Sequence, residues 1–310
     1  MPRNILKDTA PKRRGFGFEP QAILASRAAH AGGWDCDIPD AWGPDYFRPG
    51  LVMAAGLRTM SVALDRDDLA LVSASATFRR TPETGQIHTS VEVHHENDQR
   101  IFVHGSLTQR SVPTSEGGVS IDAMFASPRW PGPLLQTSAR PDEFAASPWL
   151  DTRSSPITPD WLTPGLSENT EWHAATALSQ PPEVGARATL WFRFRLAPAA
   201  TGEPWDPALL PIPGDTLGAA IATVYESPDL PPGCTPLHMN LQVHAPVVGT
   251  WLGVEATCTR AGANLVHGVH NLWSETGIHV ATITQTSELP FVFTTGPDAP
   301  NPLLRQYTAR

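Results

Sequence analysis

Cysteine is scarce in this sequence. Cys36, Cys234 and Cys258 lie far apart, and no two of them form a Cys-x-x-Cys pair. That excludes a disulfide framework and a cysteine-rich zinc site. No run of 18 apolar residues occurs, so nothing reads as a membrane-spanning helix. Basic residues are not in surplus either: 22 Lys and Arg stand against 31 Asp and Glu, for a net charge of −9. Neutralising a phosphate backbone needs the opposite balance, so no nucleic-acid partner is expected. The one basic stretch, Arg3 to Arg14, reads as a solvated terminus. Met1-Pro2-Arg3-Asn4 lacks the apolar core of a signal peptide, and the expected location is cytoplasmic.

What is present is a globular balance. The 310 residues are 41% hydrophobic and 17% charged, enough for one large domain or two of medium size. The 32 prolines imply long loops.

A single pattern then appears twice. Pro49-Gly50 opens a run of small and apolar residues from Leu51 to Met60, which suits a helix packed closely on a sheet. Val72, Ala74, Ala76 and Phe78 alternate with Ser73, Ser75, Thr77 and Arg79 as a strand, by the period of two. Pro82-Glu-Thr-Gly85 is a turn, and two further strands follow around Ile87–Val93 and Ile101–Gln109, joined by a hairpin at Glu96-Asn-Asp98. In the second copy Pro213-Gly214 opens a small-residue helix from Leu217 to Val224, and Leu237 to His244 alternates as a strand. Pro246-Val-Val-Gly249 repeats the turn, and strands follow from Trp251, Leu265 and His279, with Ser274-Glu-Thr-Gly277 as a hairpin turn. Gln285 stands where the first copy has Gln109. A further strand precedes each helix: Ala188–Leu196 in the second copy, and one within 16–41 in the first. Residues 111–165 are rich in Pro and Ser and read as a connector with short local structure.

A small-residue helix wrapped by a long antiparallel sheet is a hot-dog unit. The expected fold is therefore α+β, a double hot-dog with two long antiparallel sheets, each wrapping a central helix. Residues 16–125 form the N-terminal hot-dog, 126–165 the connector and 166–310 the C-terminal hot-dog. The sheet should run nearly continuously across both halves, which protects its inner edges.

The second copy resembles the C-terminal half of the acyl-CoA thioesterase II family. The residues that carry this are His244-Ala-Pro246, Trp251-Leu252, Gly268 to Trp273, Glu275-Thr-Gly277, and Val280-Ala-Thr-Ile-Thr-Gln285. The first copy is similar to the N-terminal half through Pro82-x-x-Gly85 and Gln109. The resemblance implies hydrolysis of an acyl-CoA thioester to free acid and CoA, without metal, cofactor or covalent nucleophile. In this chemistry an Asp at the end of the second helix, a Ser or Thr on the next strand and a Gln on the last strand hold and activate a water. Mapped onto this sequence, Gln285 is the Gln. No Asp stands at the helix end, where Glu226 is the nearest carboxylate and Asp229 a lesser substitute. The hydroxyl position falls on or beside Pro236, so Thr235 is the candidate, with Asn240 as an alternative dipole. Against these roles stand plainer ones: a structural amide for Gln285, an exposed acid for Glu226, and ordinary strand residues for Thr235 and Asn240.

Other signals point less far. His94 and His95 are adjacent, and His267 and His270 are three apart, so on strands each pair faces opposite ways and makes no metal pair. Arg58, Arg79 and Arg80 are candidates for CoA phosphates or are solvated element ends. Residues 45–53 faintly resemble hot-dog dehydratases but lack their His. The alternative functions are a non-catalytic double hot-dog that binds acyl-CoA or an acyl group, and dehydratase or hydratase chemistry. Exposed sheet edges favour a homodimer. Acyl-chain length is not legible.

Overall fold

The structure is a computed structural model that describes residues 26–28, 33–38, 42, 48–80, 82, 85–109, 117–127, 138–144, 164–175, 186–223, 234–262 and 264–289. Its strands are β1 (Ser26–Ala28), β2 (Trp34–Ile38), β3 (Ala70–Phe78), β4 (Gly85–Glu96), β5 (Arg100–Thr108), β6 (Val119–Ala126), β7 (Thr170–Ala174), β8 (Ala186–Phe194), β9 (Thr235–Val243), β10 (Leu252–Gly262), β11 (Leu265–Ser274) and β12 (His279–Glu288). Helices are α1 (Pro49–Leu64), α2 (Pro164–Asn169), α3 (Pro211–Gly214) and α4 (Leu217–Ala222). No helix among the described residues is long and apolar enough to cross a membrane.

The twelve strands among the described residues form one antiparallel sheet, in the order β1-β2-β4-β5-β6-β3-β9-β12-β11-β10-β8-β7. Read outward-in from each end, the two halves are mirror lists: β2-β4-β5-β6-β3 and β8-β10-β11-β12-β9. Each half thus has the same connectivity, and the seam is the pairing of Ser73–Thr77 on β3 with His238–Gln242 on β9. This is the double hot-dog, with the two expected sheets fused into one.

Why α1 forms here is plain from its residues. Pro49 occupies the first turn, where its missing N–H costs nothing. Asp65 ends the helix in the left-handed conformation, with φ of 50°. Between them the helix is apolar almost all round, and eleven of its residues are buried, as befits a helix enclosed by a sheet. Gly56 permits the close approach: a Cβ there would lie 2.6 Å from Ile121 Cδ1. The sheet answers with period-two burial. Ile101, Val103 and Leu107 on β5 and Val119, Ile121, Ala123 and Phe125 on β6 all point inward.

Two features depart from the sequence reading. First, β6 lies inside residues 111–165, the Pro- and Ser-rich stretch read as having only short local structure, although almost all of it falls within the 16–125 assigned to the first hot-dog, and it occupies the middle of the sheet. Its alternation of Val119, Ile121, Ala123 and Phe125 is masked by the Pro- and Ser-rich sequence around it. Second, the two glutamines are not counterparts. Gln109 follows β5, whereas Gln285 sits on β12, whose equivalent is β6. Ser75 pairs with Asp122, and its partner across the seam, Asn240, pairs with Thr284. By that register the counterpart of Gln285 is Ala123.

The second helix differs from the first as well. It is broken into α3 and α4, because Asp215 takes a non-helical conformation (φ −94°, ψ 57°) between them. The predicted helix over 217–224 is only the second piece, and its described part ends at Ala222 with Thr223 as its cap.

Candidate active site

The break between α3 and α4 turns the Asp215 side chain into the core, where it is 3% exposed. A carboxylate buried this deeply must be paired and hydrogen-bonded. Asp215 Oδ2 accepts the backbone N–H of Gly50 at 3.1 Å and lies 3.5 Å from Arg48 Nε. Arg48 also donates through Nη2 to the Asp215 carbonyl at 2.6 Å. Both partners come from the start of α1, so the positive end of that helix faces the acid. Gly50 is required there for space, since a Cβ would lie 2.5 Å from the Pro211 carbonyl oxygen and 2.9 Å from Asp215 Cβ. The acid therefore belongs to the second half and its charge partners to the first.

The other carboxylate oxygen faces β12. Gln285 Nε2 lies 3.4 Å from Asp215 Oδ1 and donates to Ser287 Oγ at 2.9 Å. Gln285 and Ser287 are two apart on one strand, hence on one face, and are 2% and 0% exposed. Gln285 Oε1 is buried with no hydrogen-bond partner among the described residues. An orphaned buried acceptor costs about 1–3 kcal/mol unless something fills it.

His270 completes the cluster from β11. It is fully buried, and neither ring nitrogen has a partner at hydrogen-bonding geometry among the described residues. Burial pushes its pKa down from 6.5 to about 4, and the Asp215 carboxylate and Ile283 backbone only partly offset that. The ring is thus neutral near pH 7. The sign of the consequence is fixed: between pH 6.5 and 4 the unfolded chain takes up a proton that the folded chain refuses. Acidification from pH 7 to 4 is expected to remove about 3 kcal/mol of stability through this residue alone. Chemical denaturation across that range checks it, and His270→Leu should lose this share of the pH slope.

Cys234 stands at the margin of the cluster. Burial, reinforced by the Asp215 charge, pushes its thiol up to about 11, although the Ser287 hydroxyl and Gly218 backbone oppose this. A thiol held protonated is a poor nucleophile.

Among the described residues, the first half carries no counterpart of this cluster. By the same register the counterparts of Gln285, Ser287 and His270 are Ala123, Phe125 and Gly105, and alignment of the two Pro-Gly pairs sets Leu51 against Asp215.

Of the catalytic candidates read from the sequence, Gln285 alone among the described residues is in this cluster, which His270, weighed there only as a metal ligand, also joins. Glu226 and Asp229 lie outside the described residues. Thr235 is exposed at the start of β9, opposite Glu288. Asn240 sits on the outer face of the sheet, where it donates to Thr284 Oγ1 at 3.0 Å. Its neighbour Met239, not Asn240, shares the inward face with Gln285. Pro236 does face the site, as the cross-strand partner of Ser287. Ser287 of β12 places a buried hydroxyl opposite that position. His267 and His270 indeed point opposite ways, His267 toward Thr286 Oγ1 at 3.1 Å on the outer face. The Glu275-Thr-Gly277 motif has a structural use: Glu275 Oε1 accepts the N–H groups of Thr250 and Trp251 and pins the start of β10. Arg58 lies 3.4 Å from Asp206, while Arg79 and Arg80 are exposed just past the end of β3.

Asp215 was the residue the sequence reading missed. Its signal was the dipeptide Asp215-Thr216 directly after Pro213-Gly214, a helix-start pattern, whereas the acid was sought at the helix end.

Residues 141–288 match the family model for the acyl-CoA thioesterase C-terminal domain, a span that holds Asp215, His270, Gln285 and Ser287. No curated protein sequence matches the chain. Among solved structures, the acyl-CoA thioesterase II TesB2 of Mycobacterium marinum superposes with a TM-score of 0.67 at 17% identity, over 90% of this chain and 99% of that one. A hot-dog-fold protein of Alicyclobacillus acidocaldarius gives 0.67 at 14%, over 88% and 98%. The dehydratase domain of RzxB from Pseudomonas fluorescens gives 0.53 at 13%, over 88% and 100%. At these identities the likeness is one of fold, the double hot-dog shared by thioesterases and dehydratases.

Proposed function

We propose that the protein hydrolyses an acyl-CoA thioester, with Asp215 as the general base. The observation that carries this is a buried acceptor with no partner among the described residues, Gln285 Oε1, on the amide that meets Asp215 Oδ1 only at a long 3.4 Å through Nε2. A water between the two oxygens would donate one proton to each and so be held with its lone pair outward. Asp215 Oδ2 is already engaged by Gly50 and Arg48, so Oδ1 is the oxygen left for proton transfer. Gln285 is held in turn by Ser287, which fixes which end of the amide faces the water.

The reaction then balances. Asp215 takes a proton from the water as its oxygen attacks the thioester carbon. The tetrahedral intermediate expels the thiolate, and the proton on Asp215 passes to that sulfur. Such base assistance is worth about 10²–10⁴ in rate. Arg79 and Arg80 are exposed just past the end of β3, and they suit CoA phosphates there.

The family match of residues 141–288 supports the substrate class. Dehydratase chemistry has less support, because the stretch before α1 that would carry its histidine has none at residues 45–50. The test is CoA release from a panel of acyl-CoAs of increasing chain length. Turnover of at least one is expected. Binding of an acyl-CoA without turnover of any would favour the non-catalytic reading instead.

A further inference from the structure

His270 has no part in the scheme above, yet it is buried in the same cluster. On β11 it pairs with Ile283, and two residues earlier Gly268 pairs with Gln285. His270 and Gln285 are therefore diagonal neighbours on the inward face. Gly214, directly before Asp215, is packed against the Ile283 side chain, which sets Asp215 above the His270–Ile283 pair. Three polar groups thus converge from α3–α4, β11 and β12. Two of them, the Gln285 carbonyl and the imidazole, lack partners among the described residues.

From this we infer that His270 is a further catalytic residue, whose ring N–H donates a hydrogen bond to the thioester carbonyl oxygen. The inference rests on the proposed hydrolysis at the same site. The carbonyl carbon must lie beside the water held by Asp215 and Gln285, so its oxygen must project past them toward a donor. Gln285 Nε2 is already committed to Ser287 and Asp215. The imidazole has one N–H to give, and burial keeps it from charging at neutral pH. A fixed neutral donor in a water-poor site stabilises an oxyanion more than it stabilises the starting carbonyl, which is what accelerates the step. The first half has glycine at this position (Gly105), where the other site groups are also replaced.

The test is kinetic and spectroscopic. His270→Leu removes two unpartnered polar atoms from the core, so it should fold with undiminished thermal stability at pH 7. Its kcat should fall about 100-fold, the usual loss for one oxyanion donor, with KM changed less than threefold. His270→Gln, which keeps an N–H, should recover part of the loss. If Leu leaves kcat within twofold while Asp215→Asn abolishes turnover, the inference on His270 fails and the hydrolase reading stands. If Asp215→Asn is also active, the hydrolase mechanism fails with it. A measurement that needs no turnover is the ring ¹⁵N spectrum of His270 titrated with S-acetonyl-CoA, which offers a carbonyl but cannot be hydrolysed. A shift of the protonated ring nitrogen is expected, absent in His270→Gln. No shift at saturation overturns the inference.

Discussion

Asp215→Asn should lower kcat/KM for acyl-CoA hydrolysis by about 10³, within the range for loss of a general base. The change is a clean probe because the site can hold an amide. The Asn carbonyl can accept from Gly50 N–H and Arg48, as Oδ2 does now. Its N–H₂ can donate to Gln285 Oε1 once that amide turns over, since Nε2 now faces this position and the Ser287 hydroxyl can donate as well as accept. Stability should therefore stay within about 2 kcal/mol of the parent, and the loss of rate reports on chemistry. An Asp215→Asn variant with rate unchanged within threefold would remove Asp215 from the reaction altogether.

Arg48→Met should cost about 3 kcal/mol of folding stability, measured by denaturant unfolding. The Arg48 side chain is 16% exposed and Asp215 3%. Removing the guanidinium leaves a buried carboxylate supported by one backbone N–H and a distant amide, and uncompensated charges of this kind are among the costliest single losses. The double variant Arg48→Met with Asp215→Leu should recover most of it, since a buried ion pair exchanged whole for apolar groups is close to neutral. If the double variant is no more stable than the single one, the loss lies elsewhere: in packing, or in the hydrogen bond from Arg48 to the Asp215 carbonyl.

The frame of this protein was legible because its signals are local. Alternation along β3, β8, β9 and β10–β12 is written in consecutive residues, and Pro-Gly before a small-residue run marks both helical segments. The β6 strand has the same alternation but is only eight residues long amid proline and serine, so composition outweighed pattern. The site was legible only in part. Gln285 declares itself by an inward position on a strand. Asp215 does not, because what makes it a site residue is a break in a helix and a contact with Gly50, 165 positions away in sequence. Ser287 was hidden for a related reason: a hydroxyl is expected on β9, and only the register of Ser287 against Pro236 shows that β12 carries one opposite that position. His270 is opaque to metal-ligand spacing, which asks about a partner on its own strand. Its actual neighbours are on other elements.

The seam between the halves sets a timetable for the growing chain. Ser75 and His238 are hydrogen-bonded at 3.0 Å, 163 positions apart. At roughly 5–20 residues per second, β3 waits roughly 10–30 s at the ribosome with one edge unpaired before β9 is made. An open edge for that long invites wrong partners. The segment that waits is Ser73-Ala-Ser-Ala-Thr77, whose small side chains give an intruding strand little to grip. A richer seam would hold the finished halves more tightly, at greater risk to the half that is made first.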